Sequence, residues 1–453
     1  GDGGDTDDER TVRPLTDTGN AERLVDQFGD QIRFCHTWGA WLHWDARRWQ
    51  RDETGAVRSL AKRVVRSIYG EIVAAKTKQQ REAIWKHATK SESSAARTSM
   101  LKLAESERGV PIVPDEMDRD AYRFNVLNGT LNLRTGELLP HDQADIITKL
   151  APVAFDPAAT CPRFLAFLER VIPDEDVRRF LRYMAGYSMT ADTSEQCLFF
   201  LYGSGANGKS TLLTLLRHLF GAYARQAAPN LLVENKESRH PTELADLFGA
   251  RMITSVEVDD GKRLAEGIVK QMTGGDPMKG RLMRENFFEW MPTHKILLAA
   301  NHQPEIRGTD NAIWRRIHLI PFTVTIPVAE RDGQLIEKLK EEASGILNWA
   351  LDGCLDWQRY RLPVPEAVEQ ATAAYRAEQD ILADFLAEKC VLDEQAWVAS
   401  SDLYKAYSGW CETLGTFRVS TTAFGRKLTD RGFIRSKASG GSRRWNGLRL
   451  ATP

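Results

Sequence analysis

Gly203-Ser204-Gly205-Ala206-Asn207-Gly208-Lys209-Ser210-Thr211 has the form G-x-x-x-x-G-K-[ST], a loop whose residue types suit the holding of a polyphosphate. Three glycines let the backbone turn and aim successive N–H groups at phosphate oxygens, Lys209 is placed for the β/γ-phosphates, and Ser210 for Mg²⁺. The flanks supply the fold. The apolar run at 197–202 precedes the loop as a buried strand. After it, Leu212, Leu213, Leu216, Leu219 and Phe220 recur on one face of a helix that Gly221 stops. A chance glycine-rich turn lacks this strand-loop-helix context. Further out, from about 195 to 325, strands alternate with helices, the mark of an α/β parallel sheet.

Kinases, GTPases and motors all use such a loop, so the polar residues that follow must decide. A second strand, 250–258, ends in Glu257, with Asp259 and Asp260 just beyond. Carboxylates there reach the crevice where Mg²⁺ and an attacking water are held, although an acidic loop can also simply cap the next helix. A third strand, 295–300, ends in Asn301, an amide able to orient water or sense the terminal phosphate without adding charge. Arg315 and Arg316 precede a fourth strand, 317–322. Phosphoryl transfer needs charge compensation, and an arginine from a neighbouring subunit is one way to supply it. Alone, the pair would read as surface charges facing acids.

Composition sets the outer bounds. The 453 residues suggest about three domains, and 42% hydrophobic with 27% charged is ordinary globular protein. Net charge is −1, unevenly spread: residues 1–10 are acidic and glycine-rich, while the end of the chain is basic. The six cysteines form no C-x-x-C pair, so neither a zinc site nor a disulfide framework is expected, and the reducing cytoplasm of a bacterial host fits. No apolar run reaches the ~18 residues of a membrane span, and the acidic start lacks the regions of a signal peptide. A first residue of Gly rather than Met fits the expectation of a fragment or a cleavage scar.

The chain divides by pattern into a disordered acidic tail (1–12), an N-terminal α+β domain (13–150), a helical collar (151–194), an ATPase core (195–330), a helical extension and linker (331–379) and a small terminal domain (380–453). Trp38, Trp41, Trp44 and Trp49 fall in a small β-meander, where alternating aromatics more often pack a face than stack bases. Residues 58–109 read as charged helices whose bases, among them Lys78, Arg81, Lys86 and Lys90, lie on solvated faces. Asn128-Gly129 and Thr135-Gly136 signal hairpins between 124 and 149.

Taken together, the loop, Glu257, Thr273-Gly274-Gly275-Asp276, Ala300-Asn301-His302-Gln303-Pro304 and Trp314-Arg315-Arg316 resemble the superfamily 3 helicase domain of the phage and plasmid primase family, related to poxvirus primase-helicases. The similarity also takes in Asn128-Gly129-Thr130-Leu131-Asn132-Leu133 and 420–445, and so spans about 20–450. It implies an AAA+-like P-loop ATPase core and a ring, usually a hexamer, around DNA, moving 3′ to 5′ on single strands. By position, Lys209 and Ser210 become phosphate and Mg²⁺ ligands, Glu257 the acidic Walker B residue, Asn301 the sensor, and Arg315 or Arg316 the finger acting in trans. One departure stands out. Where viral members often have two adjacent acids, Val258 follows Glu257, which leaves Asp259 or Asp260 as candidates for the second carboxylate.

Two basic segments are candidate DNA contacts. Lys279, Arg281 and Arg284 fall in a hairpin just before the third strand, where charge can follow phosphates without reading sequence. At the end of the chain, two helices are followed by a basic hairpin, the pattern of a winged helix, with Arg426, Lys427 and Arg431 on the recognition helix and Arg435, Lys437, Arg443, Arg444 and Arg449 on the wing. The expected function is an ATP-dependent, Mg²⁺-requiring DNA helicase acting on single-stranded or forked DNA in phage or plasmid replication, with a primase or polymerase partner or a priming domain upstream of Gly1. A second reading is an origin-binding initiator whose assembly ATP regulates. A third, small-molecule kinase, is weakened by the basic terminal domain.

Overall fold

The computed structural model describes residues 13–228, 231–234, 241–256, 262–281, 287–306, 311–379, 381–414, 418–437 and 443–451. Its centre is layered by simple alternation. In the strand Leu198–Tyr202, Phe199 and Leu201 join one buried cluster while Leu198 and Phe200 join another, because successive side chains point to opposite faces. The neighbouring strand Lys295–Ala300 does the same, with Leu297 and Ala299 on one side and Ile296, Leu298 and Ala300 on the other. Both faces are therefore covered, which is why these strands read as continuous apolar runs.

Five strands make this sheet, in spatial order Ile317–Pro321, Leu198–Tyr202, Lys295–Ala300, Met252–Val256, Ala224–Gln226, and every neighbouring pair is parallel. The chain leaves Leu198–Tyr202 for the far edge and works back to Lys295–Ala300. It then crosses to the opposite edge. This reversal around Leu198–Tyr202 is a topological switch point, and open α/β sheets take ligands in the crevice beyond the C-terminal strand ends at such a point.

One face is covered by the helices Pro162–Val171, Glu175–Met189, Lys209–Phe220 and Ala343–Tyr360, which share a single apolar cluster with the sheet. Glu175–Met189 and Ala343–Tyr360 approach closely through small residues: a Cβ at Gly186 would lie 2.0 Å from the Cys354 amide nitrogen. At the N-terminal edge of the sheet two buried cations hold the end of Glu175–Met189. Arg251 donates to Met189 O at 2.6 Å, and Lys295 donates to the carbonyls of Thr190 and Asp192. Burial and the nearby Arg251 push Lys295 down to about 7.

The N-terminal part holds the expected meander, Ile32–Cys35, Ala40–Trp44 and Trp49–Arg51, extended by a short parallel strand, Pro111–Ile112. Trp49 is fully buried and its indole N–H donates to Gln143 O at 2.9 Å, so the packing reading of the tryptophans holds for it. The helices Ala56–Glu71, Lys78–Ser91 and Ser94–Ala104 follow. Then come the two hairpins Arg123–Val126, Gly129–Asn132 and Glu137–Leu139.

The terminal part runs helix Ile381–Lys389, strand Cys390–Ala399, helices Ser400–Leu414 and Thr421–Asp430, and strands Ile434–Lys437 and Arg443–Leu450 around its own apolar cluster. The first of these strands is absent from the sequence reading. No described helix is long and apolar enough to cross a membrane, and all six cysteines are buried and outside any disulfide.

Candidate nucleotide site and nucleic-acid surfaces

The loop sits where the switch point predicts, between the end of Leu198–Tyr202 and the helix Lys209–Phe220. Gly208 takes φ +86°, a left-handed conformation that glycine adopts without steric cost, and a Cβ there would lie 2.7 Å from Val171 Cγ1. A Cβ at Gly203 would lie 2.2 Å from Phe322 O, so the backbone must approach closely at that point too. The helix begins without a side-chain cap, leaving its first N–H groups to an anion. Gly205 has nothing near its virtual Cβ, and Ser210 is exposed, so the outer side of the loop is open.

Lys209 is buried, and its ammonium is held by four oxygens: Gly203 O at 2.6 Å, Ser204 O at 3.3 Å, Asn207 Oδ1 at 2.9 Å and Asn301 Oδ1 at 3.1 Å. Desolvation pulls it down to about 8. The structure thus brings together Lys209 and Asn301, residues 92 positions apart.

Asn207 has a role the sequence reading did not single out. Buried, it accepts from Lys209 and donates from Nδ2 to Phe322 O at 3.2 Å, tying the loop to the chain beyond Ile317–Pro321. The segment 322–326 closes the seam: Phe322 N donates to Tyr202 O at 2.7 Å, Ile326 N donates to Ala206 O at 2.8 Å, and the Ser204 and Thr325 hydroxyls lie 3.1 Å apart. Asparagine's paired donor and acceptor, in a loop otherwise of small residues, was the available signal.

The two arginines separate. Arg316 is buried, donating to Thr273 Oγ1 at 3.0 Å and Ala312 O at 2.5 Å. Arg315 is exposed and donates to Gln196 Oε1 at 3.0 Å. Both lie at the N-terminal edge of the sheet, since Ile317 pairs with Leu198 and Pro321 with Tyr202. Five strand residues, about 16 Å, separate Arg315 from the loop at the opposite edge. Glu257, Asp259 and Asp260 lie outside the described residues.

Met278–Gly280 and Phe288–Trp290 pair as the expected hairpin. Arg284 lies outside the described residues. Lys279 meets Glu289 at 3.2 Å, both well exposed, and Arg281 stands over the Phe287 ring at 5.1 Å. In the terminal part, Phe424 and Leu428 bury one side of Thr421–Asp430 and leave Arg426 exposed. Arg431 donates to Lys427 O at 3.4 Å. Arg435, Lys437, Arg443 and Arg449 are exposed on the strands. Arg444 donates to Ser436 Oγ at 3.0 Å and stacks 5.3 Å from Trp397.

Residues 21–173 match the family described as D5 N terminal like, and 377–446 match that described as Poxvirus D5 protein-like. Two separate segments of the chain thus match D5-type families. Between these segments, 201–316 match a family of unknown function (DUF5906). Among curated proteins the chain is similar to "Putative helicase L207/L206" of Acanthamoeba polyphaga mimivirus, 27% identical over 319 residues that cover 65% of this chain and 33% of that protein. It is 28% identical to "Putative helicase 022R" of Frog virus 3 over 55% of this chain and 28% of that one. To "Putative primase C962R" of African swine fever virus it is 24% identical, over 65% and 34%. The chain spans about a third of the length of these curated relatives. A solved structure, the apo C terminal region (305–718) of NrS-1, aligns over 95% of this chain and 99% of that one, at 10% identity and a TM-score of 0.49.

Proposed function

We propose that the chain is the helicase part of a primase-helicase: an ATP-driven, ring-forming motor of superfamily 3 type that moves on single-stranded DNA during phage or plasmid replication. The observation that carries this reading is the Lys209–Asn301 contact of 3.1 Å beside an uncapped helix N-terminus, at the switch point of a parallel sheet. These residues fit the polyphosphate of a nucleoside triphosphate. Lys209 exchanges the oxygens of Gly203, Ser204, Asn207 and Asn301 for phosphate oxygens, the first N–H groups of the helix receive the rest of the polyphosphate, and Asn301, released, is positioned to orient a water. Ser210 and Glu257, aided by Asp259 or Asp260, would hold Mg²⁺, which would supply charge neutralisation for the polyphosphate.

The separation of Arg315 from its own loop, about 16 Å of strand, supports a role at the nucleotide of the next subunit in an AAA+-like ring, usually a hexamer in this superfamily. The terminal part, in the order helix, strand, helix, helix, strand, strand, reads as a winged helix. Thr421–Asp430 and the Ile434–Lys437/Arg443–Leu450 hairpin then present bases to phosphates. The names of the relatives, helicase and primase, agree with this assignment.

The test is Lys209→Ala. It is expected to lower ATP hydrolysis and fork unwinding by roughly 10²-fold or more; wild-type rates in the variant would overturn the site. The basic terminal part also favours a second reading, an origin-binding initiator that assembles under ATP control. Tight sequence-specific duplex binding by a chain that hydrolyses ATP without separating strands would select it.

A further inference from the structure

The helix Lys78–Ser91 lies almost wholly in solvent, with Ala88 and Ser91 its buried residues. Trp85, at its middle, is 56% exposed. An indole offers more apolar area than most side chains, so one left on a charged helix calls for an explanation. Arg81 and Lys78 share its side of the helix at about one and two turns' distance, and Lys86 adjoins it. Five bases (Lys76, Lys78, Arg81, Lys86, Lys90) against two acids (Glu82, Glu92) give residues 76–92 a net charge of +3. Of the two acids, Glu92 accepts from Tyr69 at 3.0 Å and Glu82 sits 3.9 Å from Lys78.

The surroundings of the ring choose its occupant. At the positions three and four residues away stand Arg81, Glu82, the buried Ala88 and Thr89, none an exposed apolar side chain. A second copy of the chain would need a contiguous apolar patch of several hundred Å², and a segment of net charge +3 repels its own image. One aromatic ring among cations instead matches one base flanked by phosphates. In a duplex, base faces are already stacked, so the free face belongs to a single strand.

We infer that the Lys78–Ser91 face binds single-stranded nucleic acid, with a base stacked on Trp85 and phosphates carried by Lys78, Arg81 and Lys86. This rests on the reading of the chain as a nucleic-acid motor, and adds a contact apart from the hairpin and the terminal part.

The experiment measures binding of fluorescein-labelled oligo(dT) to the full chain by anisotropy, alongside the mass of the assembly under the same conditions. Trp85→Ala weakens binding by about 5- to 100-fold and Trp85→Phe largely restores it, while DNA-independent ATP hydrolysis and assembly mass stay unchanged. Arg81→Ala lowers the slope of log affinity against log salt by about one unit. Wild-type affinity in Trp85→Ala overturns the inference and leaves the motor reading intact. Loss of assembly mass without loss of affinity overturns it in favour of a subunit contact. Failure of the wild-type chain itself to bind oligo(dT) rejects the motor reading.

Discussion

Lys209 carries a charge into a setting that disfavours it. Burial holds its ammonium at about 8, against 10.5 for a free lysine, and the four oxygens around it are carbonyl and amide acceptors without formal charge. Between about pH 8 and 10.5 the unfolded chain binds this proton and the folded chain does not, so Lys209's contribution to stability rises with pH through that window. An incoming polyphosphate reverses the preference, because anionic oxygens favour the ammonium form. Nucleotide binding is therefore expected to take up little proton at pH 7 and a growing fraction of one proton above pH 8, with affinity falling as pH rises through about 8. Calorimetry in buffers of different ionisation enthalpy reads this directly, with Lys209→Ala as the control. Uptake no greater at pH 9 than at pH 7 would show that the empty loop keeps Lys209 charged.

Between elements, the close crossing of Glu175–Met189 and Ala343–Tyr360 is set by Gly186, where a Cβ would meet Cys354 N at 2.0 Å and Gly353 C at 2.3 Å. Gly186→Ala forces these helices apart and is expected to cost about 1–3 kcal/mol or more, seen as a lower urea midpoint. Gly267, in the helix Glu266–Gly274, has nothing within 4 Å, so Gly267→Ala is expected to be neutral or stabilising by up to about 1 kcal/mol. Equal midpoints for the two variants would contradict the close-contact argument.

The same elements show where the sequence was readable. Leu198–Tyr202, the loop and Lys209–Phe220 were legible because apolar periodicity and glycine placement are local signals. The hairpins at Asn128-Gly129 and Thr135-Gly136 were legible for the same reason. Cys390–Ala399 escaped because its middle, Asp393 to Gln395, is polar and exposed, and its pairing with Arg443–Leu450 is non-local. Spatial strand order, the Asn207–Phe322 tether and the opposite fates of Arg315 and Arg316 likewise depend on contacts between distant segments.

At the scale of the assembly, each site of the proposed ring is split between two subunits: one contributes Lys209 in its loop, the next contributes Arg315 from the opposite edge of its sheet. Lys209→Ala chains cannot hold nucleotide productively, and Arg315→Ala chains cannot complete a neighbour's site, so each variant alone is expected to be inactive. Mixed rings differ. Wherever an Arg315→Ala subunit, with its loop intact, is followed by a Lys209→Ala subunit, with its arginine intact, a whole site is rebuilt. Random equal mixing creates that order at about one junction in four, so hydrolysis should recover to about a quarter of the wild-type rate if sites fire independently. A site contained within one subunit predicts no recovery at any ratio. Arg316→Ala serves as the contrast: its guanidinium is bonded to Thr273 and Ala312 of its own chain, so its loss should destabilise the subunit, and mixing it with Lys209→Ala should restore less activity than Arg315→Ala does.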